Sequence, residues 1–168
     1  MIRVLLVLFI ATACAVFAYG DPAKITTART SVTEMIQHRT AAHARIQQIP
    51  RGNGGEFKHD ARINGVKVPM VIDTGATSVV LTYETAKAAG LPLELLDYNV
   101  PLETVGGNNK AARLTLDRLA VGRLVEHSIP ALVVPRGQMK TNLLGMSFLD
   151  RLESWEVRAD RLMLRGYP

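Results

Sequence analysis

From Phe57 onward the sequence predicts a mainly β fold, a barrel or sandwich of short strands with one or two short helices. Three observations predict it. Strand-length runs recur at regular spacing between turn signals. Asn64-Gly65 joins two of those runs in the strongest short-range pattern for a tight hairpin. Helical patterning in this part is confined to brief stretches, the clearest being "LTYETAKAAG" with its glycine stop. The chain has 168 residues, of which 48% are hydrophobic, so one domain plus tails can bury a proper core.

Taken in order, residues 1–20 form the first element. Arg3 is followed by a run of 16 residues from Val4 to Tyr19 that carries no charge, close to the ~20 that span a bilayer. Three readings send it to or across a membrane: an uncleaved anchor, a signal peptide cut after Ala15 or Ala18, or a lipoprotein signal using Cys14. Lys24, Arg29 and Arg39 follow the run, so charge does not cleanly favour export. Residues 21–55 read as a linker. Within it 31–49 is expected as a helix, with Ser31 and Glu34 as capping box and Val32, Met35, Ile36, Ile46 and Ile49 as a broken apolar stripe. Pro50 and "RGNGG" end it as a hinge.

The domain proper is expected over 56–168. "FKHDARI" and "VKVPMVI" make the Asn64-Gly65 hairpin, with Pro69 marking an edge or strand start. "VPLETV" and "KAARLTLDRLAVG" make a longer hairpin turning at Gly106-Gly107-Asn108-Asn109. "VEHSIPALVVP" is a further strand, and "NLLGMSFLDRL" a buried strand end leading into a brief helix. "SWEVRADRLMLRGY" closes the chain as a hairpin turning near Ala159-Asp160. Trp155 is expected in the core or an interface, and His127 on the surface.

Charge and composition exclude several classes. The formal charge of +5 is concentrated early: Gly20 to Arg51 holds five Lys/Arg against two Asp/Glu, whereas Gly52 to Pro168 holds fourteen against thirteen. With aromatics at only 5%, this distribution speaks against nucleic acid as a partner. Cys14 is the sole cysteine, so no internal disulfide and no cysteine metal site can form. His38, His43, His59 and His127 lack metal-ligand spacing. No cofactor is expected.

The chemistry concentrates in "VIDTGATSVVLT", where an acid follows an apolar strand directly. Burying a carboxylate is costly unless something compensates it, so Asp73 either caps a turn or is placed there for reaction. Asp-Thr-Gly alone is a weak signal. Its apolar lead-in, Ala76-Thr77-Ser78 behind it, and the apolar run before Gly145 some 70 residues later strengthen it. Together with "LLGMSFLDRL" these segments resemble the retropepsin-like aspartic proteases, and more closely their bacterial membrane-anchored members of alphaproteobacterial type. The resemblance covers about 110 residues, Phe57 to Pro168.

That resemblance implies a closed retropepsin-like barrel and an aspartic endopeptidase. Asp73 would be the catalytic residue. Thr74 would bond across to a partner loop, Gly75 would permit close backbone approach, and Ala76 would complete the loop. Thr104, Val105, Gly106 and Gly107 would form the flap over substrate. Leu143, Leu144 and Gly145 would pack behind the site. One chain offers one such aspartate, so a homodimer is implied, with the last strand as an interface element and a peptide or protein as substrate. The implied location is the bacterial inner membrane with the protease domain in the periplasm; secretion or lipid anchoring after signal cleavage is the alternative. Pepsin-type sites carry Ser or Thr where Ala76 stands, so this pair is expected to work at mildly acidic to near-neutral pH.

Two other readings compete with this one. A non-catalytic peptide-binding or dimerisation module could use the same fold. "DTGATS" also fits an actin-like phosphate loop, but that fold needs two domains and further motifs, and this chain is too short.

Overall fold

The computed structural model describes residues 45–104 and 107–168. The expected membrane segment 1–20 and most of the expected helix 31–49 lie outside the described residues, among which no helix is long and apolar enough to cross a membrane. The end of that helix is corrected. Ile46–Pro50 is strand β1, paired antiparallel with β10 (Arg161–Arg165) from Ile46↔Arg165 to Pro50↔Arg161. Spacing alone left Ile46 and Ile49 compatible with a helix. Pairing with residues more than 100 positions away decides it, and Ile49 is wholly buried.

β2 (Lys58–Ile63) and β3 (Val66–Ile72) form the expected hairpin. Asn64 and Gly65 both take positive φ, 50° and 85°, as a two-residue primed turn requires. β4 (Val79–Leu81) leads into α1 (Tyr83–Ala88), capped by the Thr82 hydroxyl on the Thr85 N–H and ended by Gly90 at φ 69°. β5 (Val100–Thr104) and β6 (Gly107–Val121) pair in the register Thr104↔Gly107. Gly107 to Asn109 therefore belong to the strand, not to a four-residue turn as the glycines suggested. β7 (Leu124–Val133), β8 (Asn142–Leu144), α2 (Met146–Leu149) and β9 (Ser154–Val157) complete the order.

Strands β2-β3-β8-β4-β7-β6 form a sheet that β2–β6 pairing closes into a six-strand barrel, with β5 appended outside β6. β3 runs parallel to β8, and β4 parallel to β7. Met70, Leu81, Leu116, Ile129, Leu144 and Phe148 fill the interior. A second cluster of Val80, Ala111, Leu132 and Val134 lies apart from it, with Leu102, Met139 and Leu143 packed against it. Pro69 sits within β3 rather than at its start; β8 pairs with β3 only from Met70 onward, so the missing N–H breaks no ladder there.

A separate three-strand sheet has the order β1-β10-β9. The last strand is thus central in this sheet, flanked by β1 and β9. All four β9 residues are exposed, including Trp155 and Val157.

Candidate active site

The site grows from the parallel pairing of β3 and β8. That ladder runs through Ile72↔Leu144, and the Asp73 N–H extends it by donating to the Leu144 carbonyl at 3.1 Å. Beyond Asp73 the chain must turn sharply to reach β4. It does so with the Gly75 N–H donating to Asp73 Oδ1 at 2.9 Å and the Ala76 N–H to the Asp73 carbonyl at 3.3 Å. This is an Asx turn: the aspartate orders its own loop with one oxygen. Asp73 Oδ2 has no hydrogen bond among the described residues.

The loop is locked from behind by α2. The Met146 N–H donates to the Ala76 carbonyl at 2.8 Å, and the Ser147 N–H to the Thr77 carbonyl at 3.1 Å. Such contact between backbones leaves no room for a side chain at Gly145. A Cβ there would lie 2.2 Å from the Ser78 carbonyl oxygen and 2.6 Å from that of Ala76. At Gly75 a Cβ would meet only Asp73 Oδ1, at 3.2 Å. The tightest glycine of the motif pair is therefore Gly145.

Two polar side chains hold the surrounding strands. Asn142, 4% exposed, accepts from the Thr82 N–H at 2.9 Å and donates to the Pro69 carbonyl at 3.0 Å, tying β3 to the end of β4. Ser147 Oγ accepts from the Val79 N–H at 2.9 Å and donates to the Pro130 carbonyl at 2.7 Å. Sequence reasoning passed over both. Their signal was the polar Asn and Ser inside the apolar run "NLLGMSFL", where unpaired polar groups would be costly.

Asp73 is half-buried between two depressions. On one side lies a cleft of about 860 Å³, bordered by the loop itself, by Pro101 and Leu102 of β5, and by Met139 to Thr141. On the other is an apolar recess of about 180 Å³ formed by Phe57, Ile72, Leu149, Trp155, Val157 and Leu162, with Thr74 at its rim. Thr74 is exposed and makes no hydrogen bond among the described residues. Among the described residues that line either depression, Asp73 is the one acidic residue.

The remaining predicted site residues divide. Leu144 is buried behind the loop, and Gly145 abuts it. Leu143 is not behind the site: strand alternation turns it toward the second cluster and it lines the cleft. Thr104 and Gly107 stand at the tip of the β5–β6 hairpin, while Val105 and Gly106 lie outside the described residues. No group of three or more metal-ligating side chains occurs among the described residues.

A family model described as aspartyl protease matches residues 59–148, more than half of the chain, including the whole of the loop and β5–β6 and all but the last residue of α2. The chain belongs to the aspartyl protease family. A solved structure of a retropepsin-like aspartic protease from Rickettsia conorii is 34% identical, superposes with a TM-score of 0.65, and matches 72% of this chain and 90% of its own. The barrel is accordingly of retropepsin-like fold. Two uncharacterised proteins are also similar. One, from a Sinorhizobium species and named for the 5′ region of cobV, is 38% identical over 111 residues. The other, RP867 of Rickettsia prowazekii, is 35% identical over 116 residues. These matches take in 66% and 69% of this chain but only 48% and 49% of the relatives, so the chain spans about half the length of the curated relatives it matches.

Proposed function

We propose that this aspartyl protease homologue is an endopeptidase that hydrolyses peptide bonds as a homodimer, each protomer contributing one Asp73. One observation carries the reading. Asp73 sits where a cleft meets an apolar recess, and among the described residues neither offers a second carboxylate. Peptide hydrolysis of this type needs an ionised carboxylate to take a proton from water and a protonated one to polarise the scissile carbonyl. Two carboxylates about 3 Å apart share one proton and so supply both roles. A twofold axis beside the recess would bring the second aspartate at no cost in sequence. Thr74 would bond to the partner loop, and Trp155 and Val157 would be covered.

Substrate would lie extended in the cleft, its backbone bonding to strand edges beneath a flap of Thr104, Val105, Gly106 and Gly107. Gly75 lets the loop turn, Ala76 and Leu144 support it from behind, and Gly145 sets its distance from α2. The apolar run Val4–Tyr19 would anchor the chain in a bacterial inner membrane, with the peptidase domain in the periplasm, and would raise the effective concentration of protomers. Extraction and protease-protection of the full chain in membranes test that placement.

The experiment that tests the dimeric site mixes wild type with Asp73→Asn. The variant alone should lose at least about 10³-fold in cleavage of a peptide library. In mixtures, activity should fall as the square of the wild-type fraction, because every mixed dimer holds only one competent carboxylate. A linear fall, or cleavage by the variant alone, rejects the shared site.

A further inference from the structure

We infer that Lys140 makes the cleft selective for peptides bearing an acidic side chain near the bond to be cut. The inference rests on the peptidase reading of Asp73 and deepens it by naming the substrate class.

The cleft wall has an apolar stretch: Val80, Leu102, Leu132, Met139 and Leu143 face it beside the polar Thr77, Ser78, Gln138 and Thr141. Against that wall stand two charged residues among those described, Asp73 and Lys140. Aspartate has its role in the reaction. Lys140 has none, and among the described cations it is the one that lines this cleft. Lys58, Lys67, Arg136, Arg158 and Arg161 each face a carboxylate within 4 Å, whereas Lys140 has no ion pair or hydrogen bond among the described residues. An ammonium beside an apolar wall keeps its donors for whatever enters, and an entering peptide that excludes water strengthens its attraction for a carboxylate.

Position argues for a side-chain carboxylate rather than a chain end. Lys140 and Thr141 also border a second cleft of about 490 Å³, formed with Pro50, Lys58, His59 and Met70 among others. The two residues are a ridge between two open spaces. A peptide running from Asp73 over this ridge continues into the second cleft, so the group laid against Lys140 belongs to the middle of a chain. In that second cleft Asp60 is already tied to Lys67 at 2.8 Å, which leaves the ridge cation uncompensated from that side too. In a twofold dimer the same ridge recurs at both ends of the bound segment.

The test reads binding and cleavage separately. Fluorescein-labelled, C-terminally amidated peptides with a central apolar pair carry Glu, Gln or Lys at the flanking positions. Binding is measured by anisotropy on the full-length Asp73→Asn protein and on the Asp73→Asn/Lys140→Glu and Asp73→Asn/Lys140→Gln proteins. The Glu peptides should bind Asp73→Asn about fivefold more tightly than the Gln peptides, the worth of one exposed-to-half-buried ion pair, and the preference should fade in high salt. Lys140→Gln should erase the preference and Lys140→Glu should reverse it toward the Lys peptides. Lys140 is exposed and unpaired, so both variants should keep the melting temperature of the parent. Equal affinity for Glu and Gln peptides, or a Glu preference that survives Lys140→Glu, overturns the inference. Free-carboxylate peptides that bind better than their amides, without regard to the flanking residue, overturn it in favour of chain-end capture. Charge-dependent binding without cleavage by wild type supports the inference and defeats the peptidase reading instead.

Discussion

The barrel and the three-strand sheet obey opposite rules. In β7 the burial alternates and then closes over, with Ala131, Leu132 and Val133 all inside, and β2–β6 pairing removes the free edges. In β9 nothing is buried, and Trp155 and Val157 keep 38% and 51% of their surface exposed beside Asp73. The barrel finishes its own core; the sheet ends in a strand that leaves Trp155 and Val157 uncovered. Asp73 is built by the first and opens onto the second. On the proposed dimeric reading, the barrel would supply the protomer's stability and the exposed sheet the contact that completes the site.

The comparison predicts where substitutions should fall hard. Gly145→Ala forces a methyl into two carbonyl oxygens of the active-site loop, so about 3 kcal/mol of unfolding free energy should disappear. Urea denaturation of the described domain's parent chain measures it; a loss within 0.5 kcal/mol, roughly the range of neutral surface changes, contradicts the close approach. Asn142→Ala should cost somewhat less, about 2 kcal/mol, because it orphans a buried Thr82 N–H and the Pro69 carbonyl together.

Trp155→Asp should do the reverse. Protomer stability should hardly move, since the side chain is exposed at an outer strand, while dimerisation weakens by about tenfold or more and activity falls with it. Sedimentation across a concentration series separates the two effects. A dimer that survives the change places the interface elsewhere.

Acid should act on the sheet and its neighbouring loop, and weakly. Arg158 hydrogen-bonded to Glu156 and Arg161 to Asp160 hold those carboxyls below their ordinary range, as Lys58 does for Glu56. A carboxyl with a depressed folded value contributes fully above its unfolded value, and the contribution is lost as pH falls through the folded one. Melting temperature should therefore drop gently as pH descends through about 4, less so in high salt, because all three groups are solvated. A rise on acidification would contradict these pairs.

Much of this was legible in the chain itself. Asn64-Gly65 announced its turn because a two-residue primed turn depends on local backbone freedom, and Gly90 announced the end of α1 for the same reason. The loop at Asp73 was legible because an acid cannot follow a buried strand without cause. What escaped was set by distant partners. Ile46–Ile49 became a strand through β10, and Leu143 faced the cleft through the register of β8. Gly107 looked like a turn residue yet pairs with Thr104. The cleft residues Met139 and Lys140 carry no local pattern at all; the fold alone gathers them around Asp73.

The placement of β1 has one more consequence. Arg51 is fastened to the carbonyls of Ala159 and Arg158 and stacks on Phe57, while residues 53–55 beyond it are exposed. A backbone cut in that short bridge would sever the preceding segment covalently but not physically. Five residue pairs and the buried Ile49 would keep the severed strand seated, so the nicked protein would travel as one species in native gels and as two fragments in denaturing ones.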